Sequence, residues 1–583
     1  MISIRNYRDE RGASLDFFLR NLQPQFRVAD FFGNPIIVPN EIQASRIFWG
    51  DAHHNSYTDP EQVPPISEVL ALAAMHLDFY TGAYYTPVMS RIPMRKERAG
   101  VVAAVEKGHP VEMAAWEKHP WKGICDERTK EPDVLAREWA EFQRAIVGAH
   151  VPGRFVAFPG YEWQGDGTWG DHNVIHLRDG GPIHAVDTLP ELYSQLRSME
   201  ALAIPHHIGY HAGIRAPRWA HCDETLTPFA EIFSIHGCSE SDEEWIGLRQ
   251  NSCMGPGVAG GTWQEALDRG LHVGAICSTD NWSNMPGCWG QGLMACVAPE
   301  LTREALWNAF RNRCVYGVTG DRIELDFTCN GGAMGRILPM ARERQLRVRV
   351  RGQDEIDRIE ILRNGRVIAT HCHQGTWRLP PEESPTRFKF RIEAGWGPRL
   401  GDLPFLARDW VGEASLSSGR FVGWSPCWIA RGQEVPRLDG TRATFRMRSH
   451  QNWVQARFQG GTILEIEAPP SAELVLKLNG TTVREKVGVL AERSRVCWYR
   501  DEAVNLVREM TGLEAGTLPR LDPIIYHYAF KAKLHRMIPE SGFTASFSIA
   551  DDEPVAGRLN YRVRVEQRNG QRAWSSPIWL EGA

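Results

Sequence analysis

The chain has 583 residues, of which 43% are hydrophobic and 23% are charged. This composition is typical of a globular protein, and the length suggests about two to four domains. The net charge of −5 is small for this length. It argues against a general nucleic-acid-binding surface, which normally appears as a basic face or a basic domain.

The sequence shows no targeting or membrane segment. The opening residues MISIRNYRDE lack the apolar stretch of a signal peptide, and no apolar run reaches the roughly 18 residues of a membrane-spanning helix. The 12 cysteines are scattered and include no Cys-x-x-Cys pair. This pattern favours reduced, buried thiols, so we expect a cytoplasmic protein that does not bind membranes.

After residues 1–40, which we interpret as an N-terminal extension, short apolar strands alternate with amphipathic helices over residues 41–325. The predicted strands are 47–54, 154–163, 201–207, 230–237 and 272–280. The predicted helices, each with one apolar face, are 66–79, 133–149, 189–199 and 302–313. Such alternation indicates parallel βα units, and therefore an α/β barrel or a doubly wound sheet.

Over residues 326–583 the pattern changes to strands in which apolar and polar residues alternate. The predicted strands are 344–352, 356–370, 386–394, 443–449, 472–485 and 559–574. The pairs Asn364-Gly365, Asn479-Gly480 and Asn569-Gly570 separate strand-like arms. Asn-Gly favours the type I′ turn of a tight hairpin, because both central residues need positive φ. We predict one β-sandwich or two smaller β units.

One glycine-rich segment, residues 165–170, matches the GxGxxG pattern of dinucleotide-binding loops. A dinucleotide site needs a helix immediately after the loop, because the helix N-terminus holds the pyrophosphate. Here the next residues, DHNVIHL, predict another strand. We therefore expect no nucleotide site at this loop.

Polar residues gather at the predicted C-terminal ends of five strands in the N-terminal half. They are Asp51, His53 and Asn55; Glu162, Asp171 and His172; His206, His207, Tyr210 and His211; Glu231 and His236; and Asp280. In a βα barrel the loops after the strands converge on one mouth. Imidazole and carboxylate together are the ligands of zinc, manganese or iron(II). Five such strand ends predict a metal site.

The order of these motifs resembles the polymerase-and-histidinol-phosphatase (PHP) superfamily. Within it, the chain looks like a large bacterial PHP-related family catalogued only as a domain of unknown function. The segments that carry the resemblance are FWGDAHHNS, FPGYEW, GDHNVIHL, IPHHIGYHAGIR, EIFSIHGCSE, STDNWSNMPG and ALWNAFRNRCVYGVTGDRIELDF, within residues 45–335. The resemblance implies a distorted (βα)7-type barrel, a metal-dependent phosphoesterase activity and up to three metal ions.

The resemblance also implies a metal-ligand set, which is His53, Asn55, Glu162, His172, His206 and Asp280. Asn55 stands where a second histidine is usual. Ala83 and Trp282 stand where two further histidines would serve a third ion. The resemblance therefore implies a centre reduced to two ions, or to one if Asn55 weakens the first site. Such a loss makes a phosphomonoester a less suitable substrate than a diester, a sulfate ester or another electrophile.

As a mechanism, we expect Glu162 to bridge two ions (Mn, Zn or Fe). His53, Asn55 and Asp280 would complete one site, and His172 and His206 the other. His207, His211 or His236 would act as the general acid, and Arg215 would hold an oxygen of a small anionic ester. Asp51 and Asp171 would orient ligands. We also expect Glu162→Gln to be the most damaging single substitution.

Two other functions stay open at this point, as does a homo-oligomeric state. The 21 tryptophans and the β-rich C-terminal half suit sugar binding, so a glycoside hydrolase or lyase on the same metal barrel is one alternative. Glycosidases usually need two placed carboxylates, which argues mildly against it. The other alternative is a binding protein or pseudoenzyme, because the substitutions at 55, 83 and 282 fit decay as well as specialisation.

Overall fold

The computed structural model describes most of the chain from residue 46 onward. The described residues are 46–56, 65–85, 132–211, 213, 215–243, 257–281, 285–373, 379–397, 408–427, 432–449, 459–514, 521–555 and 557–582. The predicted N-terminal extension and Trp282 lie outside them.

The helices of the described ranges include all four that the sequence predicts. They are α1 (Ile66–Ala73), α2 (Pro132–Ala149), α3 (Leu189–Leu196), α4 (Trp263–Asp268), α5 (Arg303–Arg311), α6 (Val487–Glu492), α7 (Arg500–Thr511), α8 (Leu521–Tyr528) and α9 (Glu540–Phe543). Helix α1 is shorter than predicted, because the apolar residues from Phe79 onward continue as a buried strand. Of these helices, none has both the length and the apolarity needed to cross a lipid bilayer.

The strands of the N-terminal half are short and almost completely buried. They are β1 (Arg46–Ser56), β2 (Phe79–Tyr84), β3 (Val156–Phe158), β4 (Gly160–Trp163), β5 (His172–His176), β6 (Ala201–Pro205), β7 (Phe229–Ser234), β8 (Gly237–Cys238), β9 (Gly274–Cys277), β10 (Leu293–Ala298) and β11 (Val315–Val318). Ten of the eleven residues of β1 are buried. Burial on both faces explains the continuous apolar runs in the sequence.

The pairing of these strands is only partly parallel. Strand β1 pairs in parallel with β2, β2 pairs in parallel with β3 and β4, and β7 pairs in parallel with β9. Strand β5 instead runs antiparallel to both β4 and β6. The loop at 164–171 is too short for the crossover helix that a parallel neighbour requires, so the chain reverses there. The strand predicted from DHNVIHL is present as β5, and no helix follows the GxGxxG loop.

The remaining strands lie in the C-terminal half. They are β12 (Glu324–Cys329), β13 (Gly332–Ala333), β14 (Ile337–Pro339), β15 (Arg344–Arg351), β16 (Ile356–Arg363), β17 (Arg366–Cys372), β18 (Thr386–Gly395), β19 (Arg408–Leu416), β20 (Arg420–Cys427), β21 (Arg437–Asp439), β22 (Arg442–Ser449), β23 (Gly460–Ala468), β24 (Glu473–Leu478), β25 (Thr481–Lys486), β26 (Arg495–Trp498), β27 (Lys531–Leu534), β28 (Ile538–Pro539), β29 (Thr544–Asp551), β30 (Leu559–Gln567), β31 (Arg572–Ser575) and β32 (Ile578–Glu581).

Two of the C-terminal sheets share one hydrophobic core, as in a sandwich. The six-stranded sheet has the order β20-β23-β18-β27-β26, with β28 beside β18, and the five-stranded sheet has the order β21-β22-β19-β24-β25. Phe390 and Leu464 from the first sheet lie in the same buried cluster as Trp410 and Met447 from the second. Alternating apolar residues of both sheets therefore build this core.

Two of the three predicted Asn-Gly turns are present. Asn364 and Gly365 both have positive φ, as do Asn479 and Gly480, and each pair joins two antiparallel strands directly. The third prediction is wrong: a four-residue loop, 568–571, joins β30 to β31, and only Gly570 of the Asn569-Gly570 pair has positive φ. The side chain of Asn569 instead donates to Asp321 Oδ2 at 2.6 Å.

The last strands of the chain join the sheet of the N-terminal half. The longest path through the main sheet runs β14-β32-β30-β31-β11-β10-β1-β2-β4-β5-β6. Strand β31 pairs with β11, so the sheet crosses the predicted domain boundary at residues 325 and 326. The division into domains and the distorted barrel both remain predictions.

Candidate metal centre

One aspartate joins the first strand of the centre to its last loop. The Asp51 carboxylate, at the middle of β1, accepts hydrogen bonds from Thr279 N at 3.1 Å, Thr279 Oγ1 at 2.6 Å and Gly287 N at 2.8 Å. Asp280 N in turn donates to His53 O at 2.6 Å. Asp51 is fully buried, and this burial raises its pKa to about 6. These hydrogen bonds therefore fix the end of β1 against the loop after β9.

Four buried side chains lie close together, two on strands and two in the loops that follow strands. They are His53, His206, Glu231 and Asp280, and one ligand atom of each lies within 4.8 Å of the others. His53 and Glu231 lie on β1 and β7, whereas His206 and Asp280 follow β6 and β9. Within the described ranges this is the one group of such residues that is close enough to hold an ion. We call these four residues, together with Glu162, the metal cluster.

His53 lies at the middle of the metal cluster with carboxylates on both sides of its ring. Its Nδ1 donates to Glu231 Oε2 at 3.0 Å. Its Nε2 lies 3.2 Å from Asp280 Oδ1 and 3.5 Å from Glu162 Oε2. Burial lowers the pKa of His53, but the charges of Asp280 and Glu231 outweigh it and raise the pKa well above the usual value. The Nε2 position thus favours a positive charge.

His206 is the least satisfied polar side chain of the metal cluster. Its ring is 1% exposed, and neither ring nitrogen has a hydrogen-bond partner among the described residues. Its Nε2 lies 4.0 Å from Glu162 Oε1, and its Nδ1 lies 3.9 Å from Asp280 Oδ2. Burial and the nearby His53 and His207 lower its pKa well below the usual value, so the imidazole is neutral. A buried, neutral and unpartnered imidazole is costly unless a ligand completes it.

The two glutamates of the metal cluster differ in what their oxygens do. Glu231 Oε2 accepts from His53 Nδ1 and from Ser278 Oγ, and its Oε1 accepts from His207 N at 3.2 Å. Glu162 accepts only from Gln164 Nε2, at Oε1, and its buried Oε2 has no hydrogen bond within the described part of the chain. Glu162 therefore fits an ion ligand. Glu231 fits a residue that orients the His53 ring.

Glu231 is predicted from the sequence to lie at a strand end, but it is not among the predicted ligands. The signal that marks it is local: an acidic residue in the middle of FAEIFS, a strand in which every residue is buried. A carboxylate in such a strand needs partners of its own, since an isolated buried charge is very unfavourable.

Two of the predicted ligands, His172 and Asn55, make hydrogen bonds of their own in the structure. His172 lies on β5, where its Nδ1 donates to Gly170 O at 3.0 Å, and its ring packs against Trp163 and Tyr193. Burial lowers the pKa of His172 to about 4. Asn55 donates from Nδ2 to Asp280 Oδ1 at 3.1 Å, and its buried Oδ1 has no hydrogen bond to the described residues. Of the six predicted ligands, His53, Glu162, His206 and Asp280 come together around one point.

Of the predicted catalytic residues, His207, His236 and Arg215 make contacts in this region. His236 Nε2 is 3.0 Å from Asp280 Oδ2. Arg215 donates from Nε to Asp171 Oδ2 at 2.8 Å, and its Nη2 lies 3.4 Å from His207 Nε2. His211 is exposed.

Three residues of this region that are not glycine hold a left-handed backbone: His207 (φ 34°), Arg215 (φ 61°) and Asp280 (φ 47°). Such a backbone costs energy and is concentrated at functional sites, because surrounding contacts must hold it in place. Here His207 N is held by Glu231 Oε1, and the Asp280 backbone is held by His53 O.

These residues could hold a metal ion. Neutral imidazole and carboxylate are the ligand types that manganese, zinc and iron(II) accept. His206 and Glu162 each present a buried atom that has no hydrogen bond to other described residues. The arrangement can therefore hold a cation.

Comparison with known proteins gives distant and partial matches. No protein-family model matches the sequence. An uncharacterised protein of Chlamydia pneumoniae is 31% identical over 269 residues, which is 41% of this chain and 41% of that protein. An uncharacterised protein of Chlamydia muridarum is 28% identical over 207 residues, or 32% of each chain. The chain thus spans about a third to two fifths of the length of the curated relatives it matches.

Among solved structures, the chain is similar to a two-domain protein of Bacteroides vulgatus that contains a predicted PHP-like metal-dependent phosphoesterase. The match covers 56% of this chain and 82% of that chain, with 13% sequence identity and a TM-score of 0.29. At this score the likeness assigns neither a fold nor an activity to this chain.

Proposed function

We propose that this protein is a divalent-metal-dependent hydrolase of anionic esters, in the first place phosphate esters or the related sulfate esters. The observation that carries the proposal is His206, whose buried neutral ring has no hydrogen-bond partner in the described chain and faces Glu162 and Asp280. The proposal agrees with the PHP resemblance of the sequence. The distorted barrel is part of the same proposal.

His53, His206, Glu162 and Asp280 would hold the ion. When bound, such an ion supplies a nucleophilic water at neutral pH and polarises an ester oxygen. Hydrogen bonds within the chain orient these ligands. Glu231 fixes the His53 ring through Nδ1, which leaves Nε2 turned toward Glu162 and Asp280. Asp51 holds the loop that carries Asp280.

Arg215 is the group we propose for the anionic part of the substrate. Its guanidinium is fixed by Asp171, which accepts from both Nε and Nη2. Burial opposes the charge on Arg215, but Asp171 outweighs this effect and raises the pKa. The side chain therefore stays cationic and pre-oriented. A planar guanidinium held in this way suits two oxygens of one phosphate or sulfate group.

A proton must reach the leaving group, and histidines beside the metal cluster are the proposed donors. His236 contacts Asp280, and the His207 ring lies 5.1 Å from the His236 ring. Both are buried at the metal cluster, whereas His211 is exposed. We therefore place His236 first in this role, because burial and the nearby Arg215 lower the pKa of His207 well below its usual value and leave that imidazole neutral.

A substrate screen tests the proposal. The full chain, stripped with chelator and reloaded with Mn²⁺, is assayed on aryl phosphates, phosphodiesters, aryl sulfates and aryl glycosides. We expect ester hydrolysis that requires Mn²⁺, is lost in Glu162→Gln and is kept in His527→Ala, which changes an exposed histidine. Turnover of glycosides alone would favour the carbohydrate-active alternative. Absence of both turnover and Mn²⁺ binding would contradict the proposal and favour a pseudoenzyme.

A further inference from the structure

Strand β5 turns two adjacent polar side chains, His172 and Asn173, to opposite faces of the sheet. Successive side chains of a strand point alternately to its two faces, so these two residues cannot both face the same centre. The register with β4 shows which face each residue takes, because directly opposite residues share a face. Asn173 lies opposite Glu162, and His172 lies opposite Trp163. Asn173 is therefore on the Glu162 side of the sheet.

The His172 side of the sheet packs against helices. The ring of His172 lies 5.8 Å from that of Trp163 and 6.4 Å from that of Tyr193, which belongs to α3. Both aromatic residues are in the buried cluster that also contains Phe142 of α2. The Nδ1 atom of His172 donates to Gly170 O at 3.0 Å. The His172 side chain therefore belongs to a core between sheet and helices.

The Asn173 side of the sheet carries two residues of the metal cluster. Asn173 lies opposite Glu162 on β4 and opposite Ile204 on β6, and His206 follows two residues after Ile204. The bond from His206 N to Asp171 O continues the pairing of β5 with β6 to that residue. Directly opposite residues have Cβ atoms about 4.5–5.5 Å apart, and residues two apart along a strand share a face. Asn173 is therefore a neighbour of both Glu162 and His206.

The Asn173 side chain has a polar atom without a partner. The residue is 2% exposed, and its buried Oδ1 has no hydrogen bond to the described residues. Burying such an oxygen is unfavourable unless a donor or a cation completes it. Glu162 Oε2, on the same face, is also buried without a hydrogen bond to the described chain. A carboxamide oxygen suits both possible partners, since it accepts hydrogen bonds and can bind manganese.

We infer that Asn173, and not the neighbouring His172, is the residue of β5 that serves the metal centre. Its Oδ1 contacts the divalent ion either directly or through one water molecule. This inference rests on the proposed function and deepens it. The histidine of the pair packs into the core between sheet and helices, and the asparagine faces the ligands.

Substitutions at these two adjacent positions test the inference. Mn²⁺ is titrated by calorimetry into the full chain carrying Asn173→Leu, Asn173→Asp or His172→Asn. Leucine has a branched shape like that of asparagine but no polar atom, and aspartate keeps an oxygen that accepts. Asparagine at position 172 can still donate to Gly170 O but has no imidazole. Urea denaturation of the metal-free proteins measures the folding stability of each variant.

We expect Asn173→Leu to weaken Mn²⁺ binding by about 10–100-fold or more. Its metal-free form should be at least as stable as the wild type, because the substitution removes an unpaired buried polar atom. Asn173→Asp should bind Mn²⁺ at least as tightly as the wild type does. His172→Asn should show the opposite pattern, with an unchanged Kd for Mn²⁺ and a lower stability, because the ring that packs against Trp163 and Tyr193 is lost.

An unchanged Kd in Asn173→Leu would overturn the inference, and so would a folded His172→Asn that no longer binds Mn²⁺. In both cases Mn²⁺-dependent ester hydrolysis by the wild type would leave the proposed function standing. A folded wild type that binds no Mn²⁺ would contradict the inference and the proposed function together. If Asn173→Leu does not fold, Asn173→Ala takes its place, with the same expected loss of Mn²⁺ affinity.

Discussion

Two buried polar side chains of this molecule, Asp321 and His206, differ in whether the described chain supplies their hydrogen-bond partners. At the junction of the two halves, the fully buried Asp321 accepts from Trp289 Nε1 at 2.7 Å, Gln567 Nε2 at 2.8 Å, Asn569 Nδ2 at 2.6 Å and Arg391 Nη2 at 3.2 Å. At the metal cluster, by contrast, His206 has no hydrogen-bond partner within the described residues.

The difference separates a structural role from a binding role. A buried charge whose hydrogen-bond partners all come from the chain needs no ligand. It fixes the packing of the segments around it. Burying a polar group without a hydrogen-bond partner is unfavourable in free energy. A ligand that supplies the partner removes this unfavourable contribution. The hydrogen bonds of Asp321 therefore hold segments of the two halves together, whereas the metal cluster is suited to binding a ligand.

The largest expected effect is on the metal cluster itself. His206→Ala should abolish bound metal and hydrolytic activity together, because it removes the ligand that has no other function in the fold. Elemental analysis after Mn²⁺ loading measures the first effect. His527→Ala, a change of an exposed histidine, is the control and should keep full metal content. Unchanged metal content in His206→Ala would remove this residue from the ligand set.

The next largest effect is expected at Asp321. Asp321→Asn should lower the free energy of unfolding by about 3 kcal/mol, because it leaves the buried Arg391 without its main counter-charge. The more distant Asp354, at 4.0 Å from Arg391, limits the loss. Urea denaturation and the melting temperature report it. Metal content should stay at the wild-type level, and a loss of metal without a loss of stability would reverse the two roles.

A smaller effect is expected from the residue that orients a ligand. Glu231→Gln should weaken Mn²⁺ binding by about 10–100-fold without abolishing it, since it disturbs the hydrogen bond to His53 Nδ1 and leaves the four proposed ligands in place. Titration calorimetry gives the Kd, with Glu162→Gln as the comparison. If Glu231→Gln abolished binding as completely as His206→Ala, Glu231 would be a direct ligand.

The smallest effect concerns a histidine that joins the halves near the surface. His272 donates to Glu224 Oε2 and Glu581 Oε1, both at 2.8 Å, and these contacts raise its pKa. A pKa raised on folding means that the protonated form stabilises the fold. This contribution is complete below the ordinary value of about 6.5 and disappears as the pH rises through the raised pKa.

Melting temperatures of the wild type and His272→Gln across this pH range measure the contribution. The wild type should be the more stable below pH 6.5, and the difference should shrink at higher pH, because deprotonation removes the charge that both glutamates favour. Arg313 faces Glu224, and Arg558 pairs with Glu581, so both arginines remain as counter-charges at all pH values. A difference that grew with pH would contradict this account.

The local elements of the fold were predictable from the sequence, whereas their long-range pairing was not. The apolar periodicity of α2 and the Asn-Gly turns at 364–365 and 479–480 are encoded within a few residues. The pairing of β31 with β11 joins segments more than two hundred residues apart, and no local pattern indicates it. The turn at Asn569 was mispredicted for the same reason, since the distant Asp321 binds that side chain.

The sequence predicted a set of site residues but not the contacts that each of them makes. His53, Glu162, His206 and Asp280 were identified as ligands from strand ends and from the PHP resemblance, and the structure brings them together. His172 and Asn55 were given the same role on equal grounds. Only the direction of each side chain shows that His172 binds Gly170 and that Asn55 binds Asp280.

The central claim is that His53, His206, Glu162 and Asp280 surround a divalent ion. Diffraction from crystals of the Mn²⁺-loaded protein, collected on both sides of the manganese absorption edge, tests it most directly. The account predicts an anomalous peak within bonding distance of His206 and Glu162. A structure with no peak there, or with these four side chains far apart, would contradict it.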